Sequence, residues 1–120
     1  SSIDKSNNLV LNNLIKQINS KKNKFKKILF VGLSFKENTN DISESPTVKI
    51  IKHLNKQNIE VYDKLINNYK QIKFKFNPKK IKKLGDIYSS KNKLIVIMHR
   101  TVDINFNKIH YSNYVINPWK

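Results

Sequence analysis

The chain has 120 residues, enough for one ordinary domain with a packed core and too few for two. It contains no cysteine, which excludes disulfides, thiolate metal sites and a cysteine nucleophile within these residues. The formal net charge is +16, and 38% of the residues are hydrophobic.

A charge this high invites a nucleic-acid reading. The residue choice argues against it. Arg100 is the single arginine among 24 basic residues, and the chain has no alanine. A surface selected for phosphate and base contacts would use the guanidinium fork as well as the ammonium point charge. Lysine, asparagine and isoleucine have A/T-rich codons, so the lysine excess reads as compositional drift on a solvated surface, and nucleic acid is not the expected partner. No run of about 18 apolar residues is present, so no membrane span is expected. Ser1 to Asn8 is polar and lacks the apolar stretch of a signal peptide. A cytoplasmic setting is expected.

Taken in chain order, Leu11, Leu14, Ile15 and Ile18 recur at helical spacing, which predicts a helix over 6–19 with one apolar stripe, widened by Leu9 and Val10. Ser20 to Lys27 reads as a basic connector with Phe25 tucked against a neighbour. Residues 1–27 are thus expected to form a connecting helix and linker, and residues 28–120 a domain. Ile28-Leu29-Phe30-Val31 is apolar throughout, as suits a central parallel strand buried on both faces. Gly32 ends it, and a polar loop runs to Ser45. Ser45-Pro46 predicts a helix start, since serine caps free amides and proline favours the first helical position. Val48, Ile51 and Leu54 continue at helical spacing. Ile59 to Asp63 alternates and reads as a second strand.

Strand, loop, helix and strand within about 35 residues make a βαβ unit of a Rossmann-like sheet. The rhythm continues with a short strand over 72–76, a basic helix over 78–88, an apolar strand over 94–98, a short helix or turn over 104–111 and a last strand over 114–116. The expected fold is α/β, a Rossmann-like three-layer sandwich with a mostly parallel sheet, preceded by one connecting helix.

For chemistry, the absences come first. The only glycines are Gly32 and Gly85, so no glycine-rich turn can approach a dinucleotide pyrophosphate. His53, His99 and His110 are scattered, and no metal-ligand spacing occurs, so no metal is expected. His99 closes a buried strand, the better functional position of the three, although a structural histidine is the default reading for each. The loop after the first strand is different. It leaves the carboxyl end of a central strand and carries Ser34, Phe35, Lys36, Thr39, Asp41, Ser43 and Glu44. An aromatic beside a lysine suits a nucleotide, with a flat surface for packing and a cation for phosphate. Asp41 and Glu44 would repel phosphate from the helix opening at Ser45, so phosphate is assigned to Lys36. Thr39, Asp41, Glu44 and Ser45 are assigned to loop bracing or helix capping.

Gly32-Leu33-Ser34-Phe35-Lys36, then Thr39, Asp41 and Glu44-Ser45-Pro46, resemble the Gly-Leu-x-Phe-Lys-x-x-Thr-x-Asp-x-Arg-Glu-Ser-Pro signature of the UDP-glucose/GDP-mannose dehydrogenase family. That signature opens the family's carboxy-terminal, UDP-sugar-binding domain. Val61-Tyr62-Asp63 resembles its second strand end, although Lys64 follows where proline is common. Leu94 to Arg100 resembles its late strand, and Val115 to Pro118 its closing strand, with Asn117 in place of the usual aspartate. The helix over 6–19 resembles the end of the segment joining the family's two Rossmann-like domains.

The resemblance implies that Phe35 and Lys36 contact the UDP part of a UDP-sugar. It also places Ser43 where the family has an arginine that reaches toward NAD, so that NAD contact is altered. The family's cysteine nucleophile, NAD loop and catalytic lysine and asparagine belong to an amino-terminal domain, so this chain is expected to be a fragment with no catalytic residue and no NAD of its own. The parent would be an NAD-dependent UDP-sugar 6-dehydrogenase, expected as a homodimer, that oxidises the sugar C6 alcohol to a carboxylate for polysaccharide synthesis. Two alternatives stay open. One is a stand-alone nucleotide-binding module without catalysis; the other is a basic nucleic-acid-binding protein.

Overall fold

The computed structural model describes residues 2–33, 46–54, 58–64, 78–99 and 102–119. The candidate residues Phe35, Lys36, Thr39, Asp41, Ser43, Glu44 and Ser45, the strand expected over 72–76, and Arg100 lie outside the described residues.

The first helix, α1 (Ser2–Lys21), runs further in both directions than its apolar stripe. Its reason for docking is that stripe. Leu14 and Ile18 are almost fully buried, and Leu11 and Ile15 pack at the edge of the same core. Burying a leucine side chain is worth roughly 1.5–3 kcal/mol, so these residues fasten the helix to the sheet. A single 3-10 turn, Lys22–Lys24, follows, and Phe25 packs against the core with its ring 6.4 Å from that of Tyr114.

The strands are β1 (Lys27–Val31), β2 (Asn58–Tyr62), β3 (Lys79–Lys80), β4 (Lys93–Ile97) and β5 (Tyr114–Ile116). They form one sheet in the order β3-β2-β1-β4-β5, and every pairing is parallel. The apolar runs of β1 and β4 explain their central places, because inner parallel strands are covered on both faces. Ile28 to Phe30 and Leu94 to Val96 have no exposed surface.

Side-chain alternation along the strands separates two cores. On one face Ile28, Phe30, Val61, Leu94 and Val96 meet α1 and α2 (Pro46–His53). On the other Leu29, Val31, Ile95 and Ile97 meet α3 (Leu84–Tyr88) and the segment around a 3-10 turn, Phe106–Lys108. Helix, sheet and helix make the three-layer α/β arrangement.

One element departs from its expected form. The basic helix expected over 78–88 is confined to Leu84–Tyr88, and Lys79–Lys80 is a strand. The physical reason is the edge of β2. Lys79 and Lys80 pair with Glu60 and Val61, and the Ile81 N–H donates to the Val61 carbonyl at 2.8 Å. Sheet pairing satisfies these backbone groups before a helix can. The segment over 104–111 resolves as the short 3-10 turn. Among the described residues, no helix is long and apolar enough to cross a membrane.

Candidate functional site

An open parallel sheet has a natural ligand crevice. It lies outside the carboxyl ends of the strands, where the chain reverses its direction of travel across the sheet. Here β1 is followed on one side by β2 and on the other by β4, so the reversal falls between β1 and β4. Gly32 and His99 stand at that point, one just past each strand end.

They are in tight contact. Gly32 has φ +107°, a conformation that side chains rarely adopt. A Cβ placed there would lie 2.9 Å from two atoms of the His99 ring. The glycine is therefore required twice, by its backbone and by its neighbour. The Met98 N–H also donates to the Val31 carbonyl at 2.9 Å, which carries the β1–β4 pairing up to the crevice.

The backbone leaving β1 is held on three sides. The Gly32 N–H donates to the Tyr62 carbonyl at 2.8 Å. The Leu33 N–H donates to the Asp63 carboxylate at 2.9 Å, in a buried contact. The Thr47 hydroxyl, on the first turn of α2, donates to the Gly32 carbonyl at 2.7 Å. Asp63 and Thr47 are both buried, and a buried carboxylate is tolerable because it accepts such bonds. Leu33 anchors the stem further by burying its side chain completely in the core beneath α2. The polar loop that begins at residue 34 is thus launched from a stem fixed by β2, α2 and β4 together.

At the rim, the Tyr62 hydroxyl lies 3.4 Å from an Asp103 carboxylate oxygen, and Lys64 lies 3.9 Å from the same atom. Burial, and then the negative charge of Asp103, push the Tyr62 phenol up to about 12. Tyr62 is therefore a neutral hydrogen-bond donor here and not a base. Among the described residues no group of His, Asp and Glu could hold a metal ion.

Sequence reasoning reached Gly32 and His99 as positions but did not single out Asp63 or Thr47. Asp63 carried a usable signal, since it directly follows a strand at the carboxyl side of the sheet. Thr47 carried none, because a threonine on the first turn of a helix has many uses. The described residues of this site hold the backbone that leaves β1.

A family model, that of the UDP-binding domain of the UDP-glucose/GDP-mannose dehydrogenase family, matches residues 29–117. No curated protein and no solved structure matches the chain.

Proposed function

The chain belongs to the UDP-glucose/GDP-mannose dehydrogenase family through its UDP-binding domain, and on that premise we propose that it binds the UDP part of a nucleotide sugar at the carboxyl end of β1. Phe35 and Lys36 make the contacts, the ring by packing and the ammonium group by pairing with phosphate. The observation that carries this reading is the braced stem of Gly32 and Leu33 at the reversal point of the sheet. Fixing backbone on binding costs ~1–2 kcal/mol for each residue ordered. A stem already held by hydrogen bonds at Gly32 and Leu33 adds nothing to that cost.

In the proposed parent enzyme, the C6 alcohol of the sugar is oxidised to a carboxylate in two hydride transfers to NAD. NAD is assigned elsewhere in the parent, because the chain's two glycines, Gly32 after β1 and Gly85 on α3, do not make the Gly-x-Gly-x-x-Gly turn that receives a dinucleotide. The chemistry is assigned to a separate amino-terminal domain, and this chain supplies nucleotide binding energy that positions the sugar. Ser43 stands where the family resemblance places an NAD-directed arginine, and serine cannot supply that charge, so either NAD is bound through other contacts or the activity is reduced. A homodimer and a cytoplasmic setting complete the proposal.

Calorimetric titration with UDP tests it. Lys36→Ala should weaken UDP binding by ~1.5–3 kcal/mol, the worth of a charge-assisted contact, or roughly 10- to 150-fold. Equal affinity in the two proteins overturns the assignment to Lys36. Absence of UDP binding to the wild-type chain overturns the claim that these residues bind the nucleotide unaided.

A further inference from the structure

We propose that a second anion site, for a small oligophosphate, lies at the amino end of the sheet, on the edge opposite the nucleotide crevice. A cavity of about 630 Å³ opens there, among the starts of β1, β3 and β4 and the turns on either side of α3. Lysines reach it from three stretches of chain: Lys27, the run Lys79, Lys80, Lys82 and Lys83, and Lys91. A seventh, Lys93, lies in its floor. Facing these seven are two acidic side chains, Glu60 and Asp86, which leaves an excess of five positive charges in one concavity.

The floor is built and not merely coated. Glu60 is 3% exposed, and one of its carboxylate oxygens lies 2.5 Å from the Lys93 ammonium group. The same ammonium donates to the Ser90 hydroxyl at 2.9 Å, and that hydroxyl donates to the Asp86 carbonyl at 2.8 Å. A carboxylate facing an anion would ordinarily oppose binding. Here Lys93 neutralises Glu60, and the pair ties β2 to β4 beneath the cavity. Among the described residues that line the cavity, Asp86 is the one other acid.

The concentration matters because lysine in this sequence is spread along the whole chain. Dispersed drift explains a basic surface. It does not explain why the fold sets the run Lys79 to Lys83 beside Lys27, Lys91 and Lys93 around one concavity. Like charges gathered in a concavity reinforce one another's field, and a ligand carrying several negative charges relieves their repulsion. Lysine is a compact, strongly hydrated point charge on a flexible stem, which suits phosphate oxygens without demanding the planar geometry of a carboxylate. A cavity of this volume has room for a short chain of phosphates.

The test is calorimetric titration of the full chain with inorganic triphosphate at fixed ionic strength, with citrate as a polycarboxylate of comparable charge. Lys82→Glu/Lys83→Glu reverses two charges at exposed positions, and far-UV circular dichroism checks that the variant is folded. Triphosphate should bind the wild type with one-to-one stoichiometry and more tightly than citrate. The double variant should lose at least tenfold in triphosphate affinity and keep its response to UDP. Lys36→Ala should keep its triphosphate affinity. Unchanged triphosphate affinity in the double variant overturns the site. Loss of triphosphate binding in Lys36→Ala moves the anion to the nucleotide loop and also overturns it. Citrate binding equal to triphosphate binding overturns the phosphate assignment. Tighter binding of a single-stranded oligonucleotide, growing with its length, replaces the small-anion site with a nucleic-acid surface.

Discussion

Replacing Gly32 with alanine should cost this domain a large part of its stability, and the cost divides into two terms that can be separated. The first is backbone conformation. At φ +107° a residue with a Cβ occupies a region that costs ~1–3 kcal/mol to hold. The second is steric. The new Cβ would stand 2.9 Å from His99 ring atoms, including the ring carbon nearest the backbone, so a swing of the far end of the side chain cannot relieve it. Overpacking of this kind costs ~1–3 kcal/mol. Together they predict a loss of ~2–6 kcal/mol from a domain whose whole stability is of order 5–15 kcal/mol. At about 4 °C per kcal/mol for a chain of this size, the melting temperature should fall by roughly 8–24 °C. Thermal and urea denaturation followed by circular dichroism measure it. His99→Ala in the Gly32→Ala background should recover the steric part and leave the backbone part. Gly85→Ala is the control. It lies exposed on α3 with nothing within 4 Å of a new Cβ, so it should be neutral or stabilising by about 0.5 kcal/mol. A Gly32→Ala protein that melts within 2 °C of wild type would refute both the tight contact and the positive φ.

Asp63→Ala should remove the charge-assisted bond to the Leu33 N–H and cost ~1.5–3 kcal/mol in urea denaturation, while loosening the stem should also weaken UDP binding measured by calorimetry. Tyr62 gives a pH signature. Burial pushes its phenol up to about 12 in the folded chain from the ordinary 10.0, so between those values the folded state holds a proton that the unfolded state has lost. Its contribution to stability is complete below pH 10 and disappears as pH rises toward 12. The difference between wild type and Tyr62→Phe in pH-dependent melting isolates this effect from the lysines, and a difference that does not shrink over that window contradicts it. Lys93→Met leaves Glu60 buried without its cation and should cost ~3–5 kcal/mol, whereas Glu60→Leu/Lys93→Met should be close to neutral. Equal losses in the single and double variants, read from urea midpoints, would show that the pair is not coupled.

The sequence by itself determined the local elements whose signal is short-range. The apolar runs at 28–31 and 94–97 are strands because such runs suit burial on both faces, and Pro46 opens α2 where the Ser45-Pro46 pair marked a helix start. The βαβ rhythm made the parallel sheet legible, and the motif from Gly32 to Pro46 made the family legible. Other features depend on partners distant in sequence, and these only the tertiary structure decided. Lys79–Lys80 is a strand because β2 presents an edge to it, which no window around those lysines contains. Asp63 braces Leu33 across 30 positions, and Gly32 is sterically pinned by a histidine that arrives on β4. Lys27 and Lys93 join the run Lys79 to Lys83 at one cavity for the same reason. Hydrophobic periodicity records which face of an element is buried. It does not record which element covers that face, and sheet order alone set these neighbours.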